Sequence, residues 1–577
     1  LLNTNLLMHQ HPEILQKYQE KFHFILVDEY QDTNFSQYLI VKKLAEKHKN
    51  LCVVGDDAQS IYSFRGARIE NILNFRNDYP GYQTFKLEQN YRSTKTIVNA
   101  ANSVIKMNQR QLHKEVFSEN EEGLKIKVMQ ALTDNEEGIM VVSEINEHRL
   151  RVHDLFSDYA ILYRTNSQSR IFEEQLRKQN LPYKIYGGLS FYERKEIKDM
   201  LAYLRLIVNS SDSEALKRII NYPARGIGQT TLDKLEQASS QQAVSIWEIA
   251  NHPEHYSVDL NKGTIGKING FIELINSFRK QLVETSAYEV TLMVARQTGI
   301  MEDLYHDKTP ENLSKFENVQ ELLNAIQDFS ISAQEEGRPN RLENYLEEVA
   351  LLTDQDSDKE EDRNRVTLMT IHSAKGLEFK NVFIVGMEEK LFPSNFSGTI
   401  SPESLEEERR LFYVALTRAM KSAWLSYARQ RYSWGQLNFC EPSRFISEID
   451  ESYLILPTNQ SMPSFLDFSR PSTFQERSFE RRPVAASEPP RRTVSGTAVP
   501  QFSERLTKLK QAMARPAFDP DDASAIQSGM TVEHQRFGRG KVVDIDGIDS
   551  SKKATVVFEN VGTKQLLLKF ARLRIVQ

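Results

Sequence analysis

The run FHFILVDEYQDTN, residues 22–34, ends an apolar stretch on two adjacent carboxylates, Asp28 and Glu29. Carboxylates at the carboxyl end of a buried strand stand where parallel sheets bind ligands. There Asp28 can hold a Mg²⁺ ion bridging the terminal phosphates of a nucleotide, and Glu29 is placed to orient and deprotonate an attacking water. A solvated turn after a strand would use the same two residue types, and an isolated Asp-Glu pair does not choose between the two readings. The longer DEYQDTN is more specific.

A second apolar run ends in VVGDDAQSIYSFRGA, residues 53–67, where Gly55, Asp56, Asp57 and then Gln59 bring a neutral amide close to the same phosphates. Gln59 could report whether the terminal phosphate is present. Tyr62 and Phe64 on this segment could stack on nucleotide bases, an interaction that tolerates any base sequence. Core packing is the commoner fate of such aromatics. LEQNYRS, residues 87–93, supplies Tyr91 and Arg92 at the junction between two α/β units. Arg92 could reach a phosphate across the cleft, where a cation stabilises the transferring phosphoryl group; a surface ion pair is its ordinary role. Further on, TIHSAKGLEF (370–379) and EEERRLFYVALTRA (406–419) offer His372, Lys375, Glu378 and Arg418, each with a mundane explanation if taken singly.

The elements that must position these residues are legible as alternating patterns. From 1 to 91, three short β-like runs (FHFILV, LCVVG, YQTFKL) alternate with helical segments, which predicts a parallel α/β sheet. A second α/β unit spans 92–191, with YAILYRTN and YKIYGG as strands, and resumes over 360–458 at VTLMTIHSAKGLEFKNVFIVG. Between them, 192–359 reads as an almost wholly helical insertion. Residues 459–525 hold eight of the 19 prolines and read as a disordered linker with at most a short helix at RLTKLKQAM. From 526 to 577 β alternation returns with Gly and Asp turns, predicting a small β-barrel.

Length and composition bound the class. A chain of 577 residues, 40% hydrophobic and 26% charged, calls for several cores and is ordinary for a soluble protein. No apolar stretch approaches the roughly 18 residues that would span a membrane. Two cysteines, Cys52 and Cys440, exclude a disulfide framework and an all-cysteine zinc site, and fit a reducing compartment with the cytoplasm as default. The net charge of −6 leaves open a motor that keeps its basic residues in one groove.

In order and approximate spacing, DEYQDTN, GDDAQSIYSFRGA, LEQNYRS, ILYRTNSQSR, GGLSFYERKEIKD, RGIGQTTLDKL, TIHSAKGLEF and EEERRLFYVALTRA resemble the motifs of superfamily 1 DNA helicases of the UvrD/PcrA/Rep group, from residue 1 to about 450. The resemblance implies two RecA-like parallel-sheet motor domains with ATP and Mg²⁺ between them, the first incomplete, and a helical insertion in the second. It implies Asp28 and Glu29 serving Mg²⁺ and water, and Gln59 reading the terminal phosphate. It further implies Tyr91 stacking on adenine, Arg92 and Arg418 contacting that phosphate, and Glu378 contacting ribose. Tyr62 and Phe64 match DNA-facing aromatics, with Phe64 standing where many relatives have Trp. His372 and Lys375 fall in a segment that couples nucleotide to DNA.

Gly226, Ile227 and Gly228 match a motif touching duplex DNA, although a plain interhelical turn would use the same glycines. The last domain resembles a Tudor-like barrel that contacts RNA polymerase; its Arg536, Arg539 and Lys541 could equally form a solubilising face. Single-stranded DNA, duplex junctions and repair-protein activators are the partners implied, with no membrane.

The sequence contains no Gly-x-x-x-x-Gly-Lys-[Ser/Thr] run: Gly266-Lys267 and Gly540-Lys541 are its two Gly-Lys pairs, and neither is followed by Ser or Thr. The expectation is therefore an N-terminally truncated helicase of the 3′-to-5′ kind, inactive alone. Two alternatives remain, an ATP-independent remnant that binds DNA and RNA polymerase, and a Rep-like helicase, against which the terminal barrel speaks.

Overall fold

The computed structural model describes residues 1–282, 285–307, 309–354, 364–394, 400–433 and 436–457, together with 528–534, 538–546, 553–558, 562–567 and 573–575. The chain forms two compact units, Leu1–Ser464 and Phe465–Gln577. The linker expected over 459–525, its short helix, and Arg536 lie outside the described residues.

The first unit opens with a small parallel pair, β1 (Ile25–Val27) and β2 (Leu51–Val53), in the register Leu26 opposite Cys52. Asn34 caps the connecting helix Phe35–Ala45 through a reciprocal box: its side chain accepts the Gln37 N–H while Gln37 accepts the Asn34 N–H. The third strand expected at YQTFKL does not form. Residues 82–88 are irregular, and pairing begins only at β3 (Gln89–Asn90), against β4 (Phe117–Ser118). The physical reason is visible in Phe85 and Leu87, which stand exposed with no strand paired beside them among the described residues.

The main sheet contains β5 (Ile126–Thr133), β6 (Tyr159–Tyr163), β7 (Tyr183–Ile185), β8 (Val366–Thr370), β9 (Phe379–Ile384), β10 (Ala419–Ser433), β11 (Gln436–Phe439) and β12 (Leu454–Ile455). Its order is β12-β5-β10-β9-β6-β8-β7 with every neighbour parallel, and β11 adds antiparallel to β10. Both faces are covered, as a parallel sheet requires. Ala160 and Leu162 point into a core shared with Ile97, Ala101 and Val104 of the helix Lys95–Ile105 and with Phe412 and Ala415 of the helix Pro402–Leu416. Tyr159, Ile161 and Tyr163, one residue out of phase, point the other way onto Val141 and Ile145 of the helix Asp134–Val152 and Phe172 of the helix Ser169–Lys178.

Between β7 and β8 the described chain is helical, from Lys195–Val208 to Leu342–Asp354, around its own apolar core. Side-chain caps punctuate it: Asn261 opens Lys262–Gln281, Ser286 with Glu289 opens Ala287–Gln297, and Thr309 precedes Pro310 at the start of Pro310–Glu335. Arg170, on the sheet-covering helix, is buried among Glu174, Glu321 and Asp328, the last two from Pro310–Glu335.

The second unit is a five-stranded antiparallel sheet of β13 (Thr531–His534), β14 (Gly538–Asp546), β15 (Lys553–Phe558), β16 (Gly562–Leu567) and β17 (Leu573–Ile575), ordered β16-β15-β14-β13-β17. Val532, Val542, Ala554 and Val556 are buried in it, while Arg539 and Lys541 are exposed.

Candidate active site

β1 ends at Val27 and the chain turns sharply. Glu29 adopts φ 49°, a left-handed conformation uncommon for a residue with a Cβ and found disproportionately at functional turns. Its N–H donates to Asp28 Oδ1 at 2.9 Å, and both carboxylates are exposed at the strand end. Gln31, fully buried, ties the two strand ends together: its Nε2 donates to Glu29 Oε2 at 2.5 Å while its Oε1 accepts the Asp56 N–H at 3.0 Å. A Cβ at Gly55 would crowd Gln31 Oε1 and approach Ile72 Cδ1 to 2.9 Å and the Tyr30 backbone nitrogen to 3.2 Å, so glycine fits here without displacing the Gln31 amide. The reading from sequence missed Gln31; its place inside DEYQDTN was the available signal.

Gln59 lies beside this pair and donates through Nε2 to Asp56 Oδ2 at 2.8 Å. Asp56 and Asp57 share the ammonium of Lys114, which burial alone would push towards neutrality but which the two carboxylates raise above its ordinary pKa. Lys375 arrives from the far side: Nζ is 3.1 Å from Glu29 Oε2, pairs with Asp32, and donates to the Gln59 carbonyl at 2.9 Å. Burial raises the Asp32 carboxyl above its usual range despite that ammonium.

Tyr62 donates its hydroxyl to the His372 carbonyl at 3.2 Å, so it is held rather than free. Phe64 is 50% exposed, with its ring edge-on to His372 at 5.3 Å and under the Arg65 guanidinium at 5.4 Å. Burial, with Arg164 and Arg65 nearby, pushes the His372 imidazole down to about 3, so it packs as a neutral ring. The segment from His372 to Glu378 then carries the chain to a second cluster. Arg92 Nε donates to Glu378 Oε2 at 2.6 Å and Nη1 to the Thr417 carbonyl at 3.3 Å, while Tyr91 projects beside it, largely exposed. Arg418 is buried and donates to the carbonyls of Val414 and Leu377, both at 3.1 Å; burial and then Arg92 lower its pKa to about 10.

The structure thus groups Asp28, Glu29, Gln59 and Lys375, groups Tyr62, Phe64 and His372, and groups Tyr91, Arg92, Glu378 and Arg418. Among the described residues no hydrogen bond or ion pair joins either arginine to Asp28 or Glu29. Gly226, Ile227 and Gly228 lie apart, in the helical region. Gly226 takes φ 72° and its carbonyl accepts from Lys267 Nζ at 3.2 Å; Ile227 is buried with its N–H on Asn221 Oδ1; Gly228 precedes the helix Gln229–Gln242 with no side-chain cap. No cluster of three or more metal-ligating side chains occurs among the described residues. An exposed Asp28 fits a Mg²⁺ ion of the kind held by one or two carboxylates plus substrate phosphates.

Three family models match the chain. Residues 85–430 match the UvrD-like helicase C-terminal domain, 1–80 the UvrD/REP helicase N-terminal domain, and 528–574 the PcrA/UvrD tudor domain. The chain belongs to the UvrD/PcrA helicase family. It is 40% identical over 575 residues to an ATP-dependent DNA helicase PcrA of Staphylococcus aureus strain Mu50, covering 99% of this chain and 73% of that protein. The like-named protein of Staphylococcus epidermidis strain ATCC 12228 is 39% identical over the same shares. In this UvrD/PcrA-type chain the match to the N-terminal domain spans residues 1–80. The lack of a Gly-x-x-x-x-Gly-Lys-[Ser/Thr] run within the 577 residues stands as a fact of the sequence. No helix among the described residues is long and apolar enough to cross a membrane.

Proposed function

We propose that this chain works as an ATP-dependent DNA helicase that moves 3′ to 5′ on single-stranded DNA in repair and replication, in the cytoplasm. The observation that carries the reading is Lys375, which joins the Asp28 and Glu29 strand end to the segment bearing His372 and Glu378. In this reading Asp28 holds Mg²⁺, Glu29 orients water, Gln59 senses the terminal phosphate, Tyr91 stacks on adenine and Glu378 meets ribose. Arg92 and Arg418 turn from their present partners to the phosphates as the cleft closes around ATP. Tyr62, Phe64, His372 and Lys375 face single-stranded DNA, and Gly226, Ile227 and Gly228 offer backbone amides to a duplex junction.

The Tudor-like unit, with Arg539 and Lys541 exposed, is the candidate contact for RNA polymerase, and repair proteins are candidate activators. Because the 577 residues hold no Gly-x-x-x-x-Gly-Lys-[Ser/Thr] run, the 577-residue polypeptide by itself turns over ATP at background, and the helicase activity proposed here requires a phosphate-binding loop supplied to it. That same lack favours a second reading, ATP-independent binding of DNA.

Two assays test the proposal. DNA-stimulated hydrolysis by the chain alone, abolished by Glu29→Gln, would refute the inactivity. Strand separation on 3′-tailed against 5′-tailed duplexes, with a polypeptide supplying that loop added, tests the direction. Separation of only the 5′-tailed substrate would refute it, and no separation of either would favour the binding reading.

A further inference from the structure

The helix Pro402–Leu416 carries three consecutive glutamates, and each grips a different part of the molecule. Glu406 Oε1 accepts the Gln109 N–H at 2.8 Å. Glu408 takes the Arg164 guanidinium bidentately, at 2.7 Å from Nη2 and 3.0 Å from Nε, and also accepts the Ser394 N–H at 3.0 Å. Both tie the helix to the main-sheet part of the chain. Of the three, it is Glu407 that reaches Ser63: Oε1 accepts the Ser63 N–H at 3.1 Å and Oε2 accepts its hydroxyl.

Ser63 opens the short turn Ser63–Arg65 that presents Phe64 and Arg65. Two donors from one residue on one carboxylate make a charge-assisted, directional clamp. The turn is therefore pinned at Tyr62 by the His372 carbonyl and at Ser63 by Glu407. The other end of the same helix meets the arginine cluster, where the Val414 carbonyl accepts from Arg418 and the following Thr417 carbonyl from Arg92. Arg418 stands eleven positions beyond Glu407, two past the end of the helix, roughly 16 Å away at the α-helical rise.

We infer that Glu407 is a positioning residue: it fixes the Phe64-bearing turn to a helix whose far end holds the two arginines, so that a strand on Phe64 and a nucleotide at the arginines act on one rigid body. The inference rests on the DNA-binding role proposed above for Phe64. It differs from that role in assigning work to a side chain that touches neither ligand.

The test places a reporter at the turn by Phe64→Trp in the full 577-residue chain and reads its acrylamide quenching above the background of the three native tryptophans. Glu407→Ala, Glu407→Gln and Ser63→Ala are then compared for quenching, for affinity to fluorescent oligothymidylate, and for urea midpoint. The expected result is about twofold greater quenching and roughly tenfold weaker binding in Glu407→Ala at an unchanged midpoint, with Glu407→Gln intermediate because one acceptor remains. Unchanged quenching and affinity in Glu407→Ala overturn the inference, as does an affinity loss that only tracks a falling midpoint. Ser63→Ala, which removes the surface hydroxyl but leaves the Ser63 N–H on Glu407, gives an intermediate change in quenching and affinity and serves as the test if the glutamate variants fail to fold. Altered quenching in a chain that binds no oligothymidylate at all would leave the positioning standing and refute the DNA role.

Discussion

The Nζ of Lys375 lies 3.1 Å from Oε2 of Glu29, while the same ammonium pairs with Asp32 and bonds the Gln59 carbonyl. One buried cation therefore holds the proposed water-activating carboxylate, the nearby Asp32 and the Gln59 segment proposed to sense phosphate together. Removing it strands Asp32 in a buried position where burial already disfavours its charge. Lys375→Ala is expected to destabilise the fold by about 1–3 kcal/mol, read as a lower urea midpoint, because an unpaired buried charge costs more than the pair contributes. Lys375→Arg should recover part of the loss. An unchanged midpoint in Lys375→Ala would show that the pair is dispensable.

Gly55 packs against the Gln31 amide that joins the two strand ends. A methyl group there would crowd Gln31 Oε1 and sit 2.9 Å from Ile72 Cδ1 and 3.2 Å from the Tyr30 backbone nitrogen. Gly55→Ala should therefore cost about 1–3 kcal/mol through overpacking. Adding Gln31→Ala should recover some of that loss while removing the link to Glu29 and Asp56. Urea unfolding of the two single variants and the double variant measures the coupling.

Two carboxyls on the helix Pro310–Glu335 are pushed up to about 7 by burial, Glu317 against the counter-effect of Arg164 and Asp328 against that of Arg170. A carboxyl whose folded pKa exceeds its unfolded one binds its proton more tightly in the folded state. Its stabilising contribution is complete below the unfolded values of 3.8 and 4.5 and is lost as pH rises through about 7. The chain should thus unfold more readily at pH of about 8 than about 5.5, by on the order of 2 kcal/mol per group. Asp328→Asn and Glu317→Gln should flatten that profile, which thermal unfolding across the range would show.

Much of the architecture was readable because its causes are local. YAILYRTN became β6 with its alternate residues in two cores, and VTLMT and EFKNVFI became the paired β8 and β9. YQTFKL failed because its alternation is only a capacity for pairing, and Phe85 and Leu87 have no strand paired beside them among the described residues. At the site, type, spacing and family resemblance singled out the candidate residues, but not their present partners. Nothing local says that Arg92 rests on Glu378, that Lys375 spans to Glu29, or that Glu407 clamps Ser63, because each joins segments hundreds of residues apart and depends on the finished packing. Gln31 was overlooked for a related reason: a buried glutamine serving two loops looks, in sequence, like any polar turn residue.

The most direct measurement is equilibrium binding of oligothymidylate to the full chain as salt is varied, with Phe64→Ala alongside. Affinity is expected to fall roughly a hundredfold between about 50 and about 200 mM salt, as about five phosphate contacts would give. Phe64→Ala should weaken binding roughly tenfold at every salt concentration without changing the slope, since a stacking platform is lost and no phosphate contact is. A flat salt response, or a Phe64→Ala chain that binds as tightly as its parent, would contradict this mode of DNA binding.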